Sequence, residues 1–222
     1  MIKVEAITKE FKQKPVLEKV NCQLSAGKSY AIIGKSGAGK TTFLNILSGL
    51  EQPSSGSVTF NDLSVNAKNQ KQLYRNHFGF VFQNFGLIDN ETVKQNLAIG
   101  LANQKLTKQL AQEAMQAVLE RVGLGKLSLK QKVYILSGGE QQRIALARAI
   151  LKKPDVIFAD EPTGSLDTEN SEVVLNSLLN DFGPDATVII ATHSPQIWQQ
   201  CDYVIEIKNQ TIHITENERI AR

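Results

Sequence analysis

The chain has 222 residues, 41% of them hydrophobic and 21% charged, with a formal net charge of +3. This composition is ordinary for a soluble globular protein, and the length suits one large domain or a core with a subdomain. The small net charge gives no argument for a nucleic-acid partner, and the lack of any run of 18 apolar residues argues against a transmembrane helix.

The N-terminus and the two cysteines bear on the compartment. Glu5 interrupts the N-terminal residues and no apolar stretch follows, so we expect no secretory signal there. Cys22 and Cys201 show neither metal-binding nor redox spacing, and we therefore expect free thiols in a reducing cytoplasm rather than a disulfide.

Residues 1–60 predict short strands on both sides of a glycine-rich turn. Alternating apolar residues indicate half-buried strands, while Phe11 lies in a polar loop. An apolar run indicates one buried strand, and the helix that follows, from Lys40 to about Leu47, should end near Gly49. The predicted strands cover 2–7, 19–24, 30–33 and the residues around Val58 and Phe60.

Beyond residue 60, apolar strands alternate with helical patterns, which argues for a mainly parallel α/β sheet. Ser137 and Glu140 have the spacing of a capping box, so a helix should begin there and run to about Lys152. The last strands should form a hairpin across Asn209 and Gln210. The predicted strands cover 78–82, 156–159, 187–191, 204–207 and 211–214, and the other predicted helices cover 107–122 and 168–181 and begin near 92 and 195.

A glycine-rich loop with a phosphate-binding pattern lies between the strand at 30–33 and the first helix. Its glycines let backbone N–H groups approach phosphate oxygens, and the helix directs its unpaired N–H groups to the same place. Lys40 is expected to bind the β- and γ-phosphates, and the hydroxyl of Thr41 suits Mg²⁺. The alternative is a chance glycine-rich turn, and the flanking strand and helix argue against it. The loop consists of Gly34, Lys35, Ser36, Gly37, Ala38, Gly39, Lys40 and Thr41, followed by Thr42.

Polar residues follow the carboxyl ends of several predicted strands. Gly34, Gln83, Asp160 with Glu161, and His193 stand at these positions. Ligands of parallel α/β sheets bind at this edge, so these residues together predict one site. The alternative is that each residue only caps its own strand, which is harder to sustain for all of them than for Gln83 or His193 alone.

Three of these side chains suit particular steps of phosphate chemistry. Asp160 is the natural carboxylate for the Mg²⁺ of a nucleotide, and a continued strand would point Glu161 the other way, free to polarise water. His193 could donate to a γ-phosphate oxygen or hold the attacking water. The alternatives are a helix cap for Asp160, a surface acid for Glu161 and a satisfied loop histidine for His193. His77 and His213 have no comparable context and are expected to be structural.

Ser137, Gly138 and Gly139 form a second helix start that has the shape of an anion site. One nucleotide in one chain does not need two anion-binding sites, since the phosphate loop supplies the first. In two chains related by a two-fold axis, this second site of each chain could bind the nucleotide of its partner. ATP would then hold a dimer together, and its hydrolysis would release it. The alternative is an ordinary capped helix with a glycine turn.

The order of these motifs resembles that of the ATP-binding cassette (ABC) transporter ATPases, over essentially the whole chain. The run at 136–140, Leu-Ser-Gly-Gly-Glu, is close to diagnostic of that family. Combined with the phosphate loop, it leaves little room for another class of P-loop protein. The positions that carry the resemblance are the phosphate loop, Gln83, 136–140, 160–161, 165–167 and His193.

The resemblance implies an α/β fold, with a P-loop NTPase core built on a mainly parallel sheet. An N-terminal antiparallel β subdomain and a helical subdomain inserted at about 84–153 would complete a single ATP-binding domain over 1–222. ATP and Mg²⁺ would be the cofactors. Phe11 would stack on adenine, although the family more often has Tyr there. Thr41, Gln83 and Asp160 would bind or orient Mg²⁺.

The resemblance also implies catalytic and dimer-contact roles. Glu161 would be the base for water and His193 the γ-phosphate sensor, while Lys40 and the loop amides would hold the phosphates. Ser137 and Gly139, with Gly138 between them, would bind the ATP of a partner subunit. Asp167 would lie at the dimer contact.

The function implied by the family is that of an ATPase subunit that powers a separate membrane permease from the cytoplasmic face of the cell membrane. The permease would carry the substrate specificity, and export of a peptide, lipid-linked or drug-like molecule is expected. Residues 160–167 are similar to the lipoprotein-release, macrolide-export and cell-division group. Residues 87–93 depart from that group, which usually has Pro near Asp89, and look more like lactococcin-type bacteriocin export ATPases.

Two other functions remain open on the sequence alone. One is a soluble ABC ATPase acting on DNA or ribosomes, although such proteins usually show long coiled coils or two cassettes in one chain. The other is a non-transporting ATPase module that regulates a cell-envelope membrane partner, as in cell division.

Overall fold

In the computed structural model, which describes residues 1–164 and 166–217, ten strands form two sheets. Ser165, which belongs to the motif compared above, lies outside the described residues. The strands are β1 (Ile2–Phe11), β2 (Lys14–Leu24), β3 (Ser29–Ile33), β4 (Ser55–Phe60), β5 (Leu63–Ser64), β6 (Phe78–Val81), β7 (Val156–Asp160), β8 (Thr187–Ala191), β9 (Tyr203–Lys208) and β10 (Thr211–Glu216).

The smaller sheet is antiparallel, in the order β2–β1–β4–β5. The prediction that Phe11 lies in a loop was wrong, because β1 continues to Phe11, which pairs with Lys14. Lys12 and Gln13 connect the two strands with φ values of 49° and 65°. Two positive φ values are typical of a type I′ hairpin turn, which normally carries Asn or Gly, so a Lys-Gln pair gives no such signal in a sequence.

The larger sheet has the order β10–β9–β3–β8–β7–β6. Its strands from β9 to β6 pair in parallel, and β10 joins the edge as the antiparallel arm of the expected hairpin. Asn209 and Gln210 form that turn with φ values of 50° and 66°. The prediction of a mainly parallel α/β core beside an antiparallel N-terminal sheet is therefore confirmed.

The helices follow the predicted positions with one addition. The capping box is confirmed, since the Ser137 hydroxyl accepts from the Glu140 N–H (3.3 Å) and the Glu140 carboxylate accepts from the Ser137 N–H (2.8 Å). Helix α2 was not predicted, because it is short and polar and buries only Leu73. The helices are α1 (Lys40–Ser48), α2 (Gln70–Asn76), α3 (Val93–Gly100), α4 (Lys108–Arg121), α5 (Gly138–Lys152), α6 (Thr168–Asn180) and α7 (Pro195–Trp198), with a 3₁₀ turn at Val133–Ile135.

Alternation along the parallel strands divides the core into two layers. In β7, Phe158 faces α1 and the antiparallel sheet, whereas Ile157 and Ala159 face α5 and α6. Strands buried on both faces form the uninterrupted apolar runs seen in the sequence. The carboxyl ends of these strands are thereby fixed between two packed layers.

The segment between β6 and β7 carries α3, α4 and α5. Its first loop is held by the fully buried Asn96, whose side chain accepts from the Ile88 N–H (2.8 Å) and donates to the Ile88 carbonyl (3.1 Å) and the Thr92 carbonyl (3.2 Å). Such local bonds replace the backbone partners that an irregular loop lacks. Helix α3 packs against α5, so the loop and both helices form a continuous layer.

No helix in the described part of the chain is long and apolar enough to cross a membrane. Cys22 is a free thiol, as predicted, and the buried Cys201 thiol donates to the Ile197 carbonyl at 3.5 Å. Burial raises the pKa of the Cys22 thiol to about 12. Cys22 is therefore protonated and unreactive near neutral pH.

Replacement of Phe158 by Ala should strongly destabilise the protein. Phe158 is 2% exposed and packs edge-on against Phe78 (5.1 Å between ring centroids) and stacked against Phe80 (5.7 Å). We expect Phe158→Ala to lower the free energy of unfolding by about 3–5 kcal/mol, measured by urea denaturation. The control Tyr134→Ala removes a ring that is 61% exposed and should change it by less than about 0.5 kcal/mol. Equal effects of the two changes would contradict this packing.

Candidate active site

The phosphate loop joins the end of β3 to the start of α1. Gly37 and Gly39 have φ values of 76° and 102°, which only glycine adopts without strain. A Cβ on Gly39 would also lie 2.6 Å from Cγ1 of Val16 in β2, so the antiparallel sheet closes one side of the loop. No side chain of the described residues caps α1. The first N–H groups of this helix are therefore left for a ligand.

The side chain of Lys40 folds back to the beginning of this loop. Its ammonium group donates to the Gly34 carbonyl at 3.2 Å. The side chains of Lys35 and Ser36 are exposed beside it, while Ala38 and Thr42 are partly buried. The Lys40 cation therefore lies next to the first residue of the loop, beside exposed side chains of the same loop.

Thr41 and Asp160 are brought together from distant parts of the chain. The Thr41 hydroxyl donates to Oδ1 of Asp160 at 3.1 Å. Burial raises the pKa of the Asp160 carboxyl and so does the charge of Glu161, while the bond from Thr41 and the charge of Lys40 lower it. The Asp160 carboxylate therefore has too little positive charge around it, and a hydroxyl oxygen lies beside it. This pair of oxygen ligands suits a Mg²⁺ ion bound to phosphates, because such an ion takes only one or two carboxylates from the protein.

Glu161 forms a pair with His193, which the sequence analysis did not anticipate. The Glu161 carboxylate lies 2.9 Å from Nδ1 of His193 and accepts a longer bond of 3.4 Å from the Thr192 hydroxyl. The side chain of Glu161 is only 18% exposed, whereas that of His193 is 73% exposed. The carboxylate is thus held in place from the protein side, and the histidine extends toward solvent.

Strand register explains why these residues meet. Asp160 is paired with Ala191, and the Glu161 N–H donates to the Ala191 carbonyl at 2.9 Å. Residues that follow the two strands therefore leave the sheet side by side. The continued strand on which the expected separation of the two acids depended is absent, because β7 ends at Asp160 and Glu161 has a left-handed backbone with φ 42°. Their side chains nevertheless have different partners.

Gln83 lies on an exposed loop two residues beyond the end of β6. Its side-chain nitrogen is 3.7 Å from the position that a Cβ on Gly164 would take, which places Gln83 beside the loop after Glu161. Arg148 of α5 fixes the next residues by donating to the carbonyls of Gly86 (2.7 Å) and Phe85 (3.3 Å). The four strand-end positions thus lie at one edge of the sheet.

Phe11 is 45% exposed and has one face covered. The ammonium group of Lys9 lies 4.7 Å from the centre of its ring and is itself paired with Glu51 (2.5 Å). A cation over one face leaves the other face for a stacking partner. Sequence reasoning had not singled out Lys9.

Ser137, Gly138 and Gly139 lie apart from the phosphate loop. Ser137 and Gly138 are exposed, and in the described part of the chain no hydrogen bond joins Ser137 to the loop. A Cβ on Gly139 would lie 2.8 Å from the side chain of Asn170. Asn170 also donates to Asp167, the cap of α6, and these bonds lower the pKa of the Asp167 carboxyl. The starts of α5 and α6 thus form one surface.

The histidines outside the site have other surroundings. Nδ1 of His77 lies 2.6 Å from Asp155, just before β7 and at the end of the strand opposite to Asp160. His213 lies on β10 at the edge of the sheet. Their positions agree with the structural role expected for both.

The chain resembles known proteins in both sequence and structure. The family profile described as ABC transporter matches residues 17–164, more than half of the chain. The lipoprotein-releasing system ATP-binding protein LolD of Protochlamydia amoebophila is 37% identical over 90% of this chain and 90% of its own length. The ATP-binding cassette MJ0796, solved as a dimer in a post-hydrolysis state bound to ADP and Pi, superposes with a TM-score of 0.87 at 28% identity, covering 98% of this chain and 99% of that one.

Two further relatives are longer than this chain. The putative ABC transporter ATP-binding protein MG065 homolog of Mycoplasma pneumoniae is 40% identical over 93% of this chain, and the macrolide export ATP-binding/permease protein MacB of a Shewanella species is 39% identical over 94%. The chain spans only 44% and 33% of their respective lengths.

Replacement of Asp160 by Asn should stabilise the protein in the absence of nucleotide. A carboxyl whose pKa is raised on folding destabilises the folded state while it is ionised, and this penalty disappears as pH falls through the raised pKa. We expect the melting temperature of Asp160→Asn at pH 7.5 to exceed that of the wild type by a few degrees at most, on the order of 1–3 °C. The difference should shrink toward pH 4.

The matched control for this measurement is Asp185→Asn, which changes an exposed aspartate and should leave the melting temperature unchanged. A lower melting temperature for Asp160→Asn at pH 7.5, or a gain that is independent of pH, would contradict the assignment of a desolvated charge to Asp160.

Proposed function

This chain is a member of the ABC transporter family, an ATP-binding domain of the ATPase class. We propose that it works as one half of an ATP-bridged dimer that drives a separate membrane permease. The observation that carries the proposal is the meeting of three pairs at one sheet edge. Lys40 is hydrogen-bonded to the Gly34 carbonyl, Thr41 to Asp160, and Glu161 to His193. These pairs provide phosphate binding, metal binding and water activation next to one another.

Nucleotide binding uses the loop 34–42 and the hairpin between β1 and β2. The ammonium group of Lys40 leaves the Gly34 carbonyl for the β- and γ-phosphates, while loop N–H groups and the start of α1 bind the remaining oxygens. Adenine stacks on the open face of Phe11, and Lys9 holds that ring from the other face.

Thr41 and Asp160 would hold the metal, and Gln83 could contribute a further oxygen ligand. Mg²⁺ bound there would supply positive charge that offsets the negative charge of the phosphates. The same charge would relieve the desolvated carboxylate of Asp160.

Glu161 takes the proton of the attacking water. Its carboxylate is already oriented by His193 and Thr192, so little rearrangement is needed when water arrives. Nδ1 of His193 shares a hydrogen bond with the Glu161 carboxylate, and the exposed histidine ring would contact a γ-phosphate oxygen.

The second half of the site comes from another copy of the chain. Ser137 and Gly138 are exposed and Gly139 is half-buried at the start of α5, and the described contacts join none of them to the phosphate loop of their own chain. Their N–H groups suit the γ-phosphate held by a partner, with Asp167 at the adjoining contact. The dimeric form of MJ0796 supports this arrangement.

The permease would bind the layer formed by residues 84–153, which we take as the helical subdomain. The loop after Gln83 and helix α3 expose Ile88 and Ile99, which are 50% and 47% accessible. Binding there would bring the chain to the cytoplasmic face of the membrane. Relatives named for lipoprotein release and macrolide export support an exporter. The narrower assignment to bacteriocin export stays a prediction.

Replacement of Glu161 by Gln should abolish turnover without weakening ATP binding. The amide keeps the shape of the side chain but accepts no proton, so we expect kcat to fall by about 100-fold or more. Phosphate release gives the rate, and gel filtration with ATP and Mg²⁺ should detect a trapped dimer. Glu172→Gln on the exposed face of α6 is the control and should keep wild-type activity. A variant that keeps its turnover would remove Glu161 from the mechanism.

ATPase activity should rise more than linearly with the concentration of the purified chain. Each site is complete only in a dimer, so specific activity depends on the dimer fraction. Activity is measured across the range in which gel filtration detects mainly monomer. A strictly linear increase over that range would contradict a site shared between two copies.

A further inference from the structure

Gln142 connects helix α5 to the segment that carries Glu161. It lies in the second turn of α5, five residues after Ser137, and it is only 1% exposed. Its side-chain Nε2 donates to the carbonyl of Pro162 at 2.7 Å. Pro162 is buried and directly follows Glu161 in the chain. A residue of the helix that begins at Ser137 therefore holds the peptide group next to the carboxylate proposed as base.

The backbone at Glu161 needs such support. A left-handed conformation is costly for a residue with a side chain, and it persists only where the surroundings impose it. The Glu161 N–H is bonded to the Ala191 carbonyl (2.9 Å), and the Glu161 carbonyl accepts from the Gly164 N–H (3.1 Å). Pro162 has no N–H to contribute. The bond from Gln142 to its carbonyl thus restrains the following peptide.

Packing alone does not account for a glutamine at this position. Its Oε1 is buried and has no hydrogen-bond partner among the described residues. A buried acceptor without a donor opposes folding, and an apolar side chain of similar volume would avoid that penalty. The glutamine is therefore explained by the bond that its other atom, Nε2, makes to Pro162.

We propose that Gln142 is a positioning residue, which couples the start of α5 to the catalytic carboxylate of the same chain. The proposal rests on the function given above. When the nucleotide of a second copy binds at Ser137 and Gly138, it acts on α5, and Gln142 passes the displacement to Pro162 and so to Glu161. Completion of one site would in this way adjust the base of the other.

The first test compares Gln142→Leu with the wild type. Loss of the bond to Pro162 should lower kcat by about tenfold or more, since small displacements of reacting groups have large effects on rate. The dissociation constant for ATP should change by less than about twofold, because Gln142 does not touch the nucleotide site. Gln116→Leu is the matched control, as its Nε2 also donates to a loop carbonyl, that of Gly125 (2.9 Å), away from the site. It should keep wild-type kcat.

The second test uses Gln142→Glu and the dependence of kcat on pH. A protonated carboxyl has the shape of the amide and can donate to the Pro162 carbonyl, whereas the ionised form cannot. Burial favours the protonated form. The ratio of kcat for this variant to that of the wild type should therefore approach one near pH 6 and fall toward pH 8.5. Gln142→Leu should show a constant ratio over the same range.

These outcomes separate the inference from the proposed function. Wild-type kcat in Gln142→Leu, or a pH-independent ratio for Gln142→Glu, would overturn the positioning role. A general loss of stability would instead weaken ATP binding and lower the melting temperature at every pH. If Gln142→Leu fails to fold, the ratio for Gln142→Glu decides. Undiminished turnover of Glu161→Gln would reject Glu161 as the base in the proposed function, whatever the Gln142 variants do.

Discussion

The parallel pairing of β7 with β8 is the constraint on which the chemistry of this protein depends. Asp160 stands opposite Ala191, and the Glu161 N–H is bonded to the Ala191 carbonyl. Since both strands are buried on their two faces, a shift in register would exchange side chains between the two packed layers and is strongly disfavoured. The packing of the core therefore sets where the backbone of the two acids, Thr192 and His193 leaves the sheet, and contacts within the site then orient the side chains.

The site itself works against stability. It contains a desolvated carboxylate at Asp160, a left-handed backbone at Glu161 and a buried oxygen on Gln142 that has no hydrogen-bond partner within residues 1–164 and 166–217. Each would be avoided in a protein selected for stability alone, and their concentration within a few residues of β7 is typical of a functional site. Phe158, two residues before Asp160 in β7, packs against Phe78 and Phe80 and contributes stability to the same strand.

Patterns that depend on neighbouring residues were predictable from the sequence. The phosphate loop, the capping box of Ser137 and Glu140, and the apolar strands were all recognised because their signals are local. Phe11 was misplaced because the turn after it lacks Asn or Gly. The pairing of Glu161 with His193 and the bond from Gln142 to Pro162 depend on strand register and helix rotation, which bring together residues 32 and 20 positions apart. No short pattern encodes those contacts.

The charge on Asp160 also has a consequence for the lifetime of the protein in a cell. Any ligand that neutralises this carboxylate binds only the folded chain and shifts the folding equilibrium toward it. The empty chain opens more often than the loaded one, and proteases act on opened chains. Subunits that hold no nucleotide would be degraded first, so the abundance of this protein would follow the energy charge of the cell.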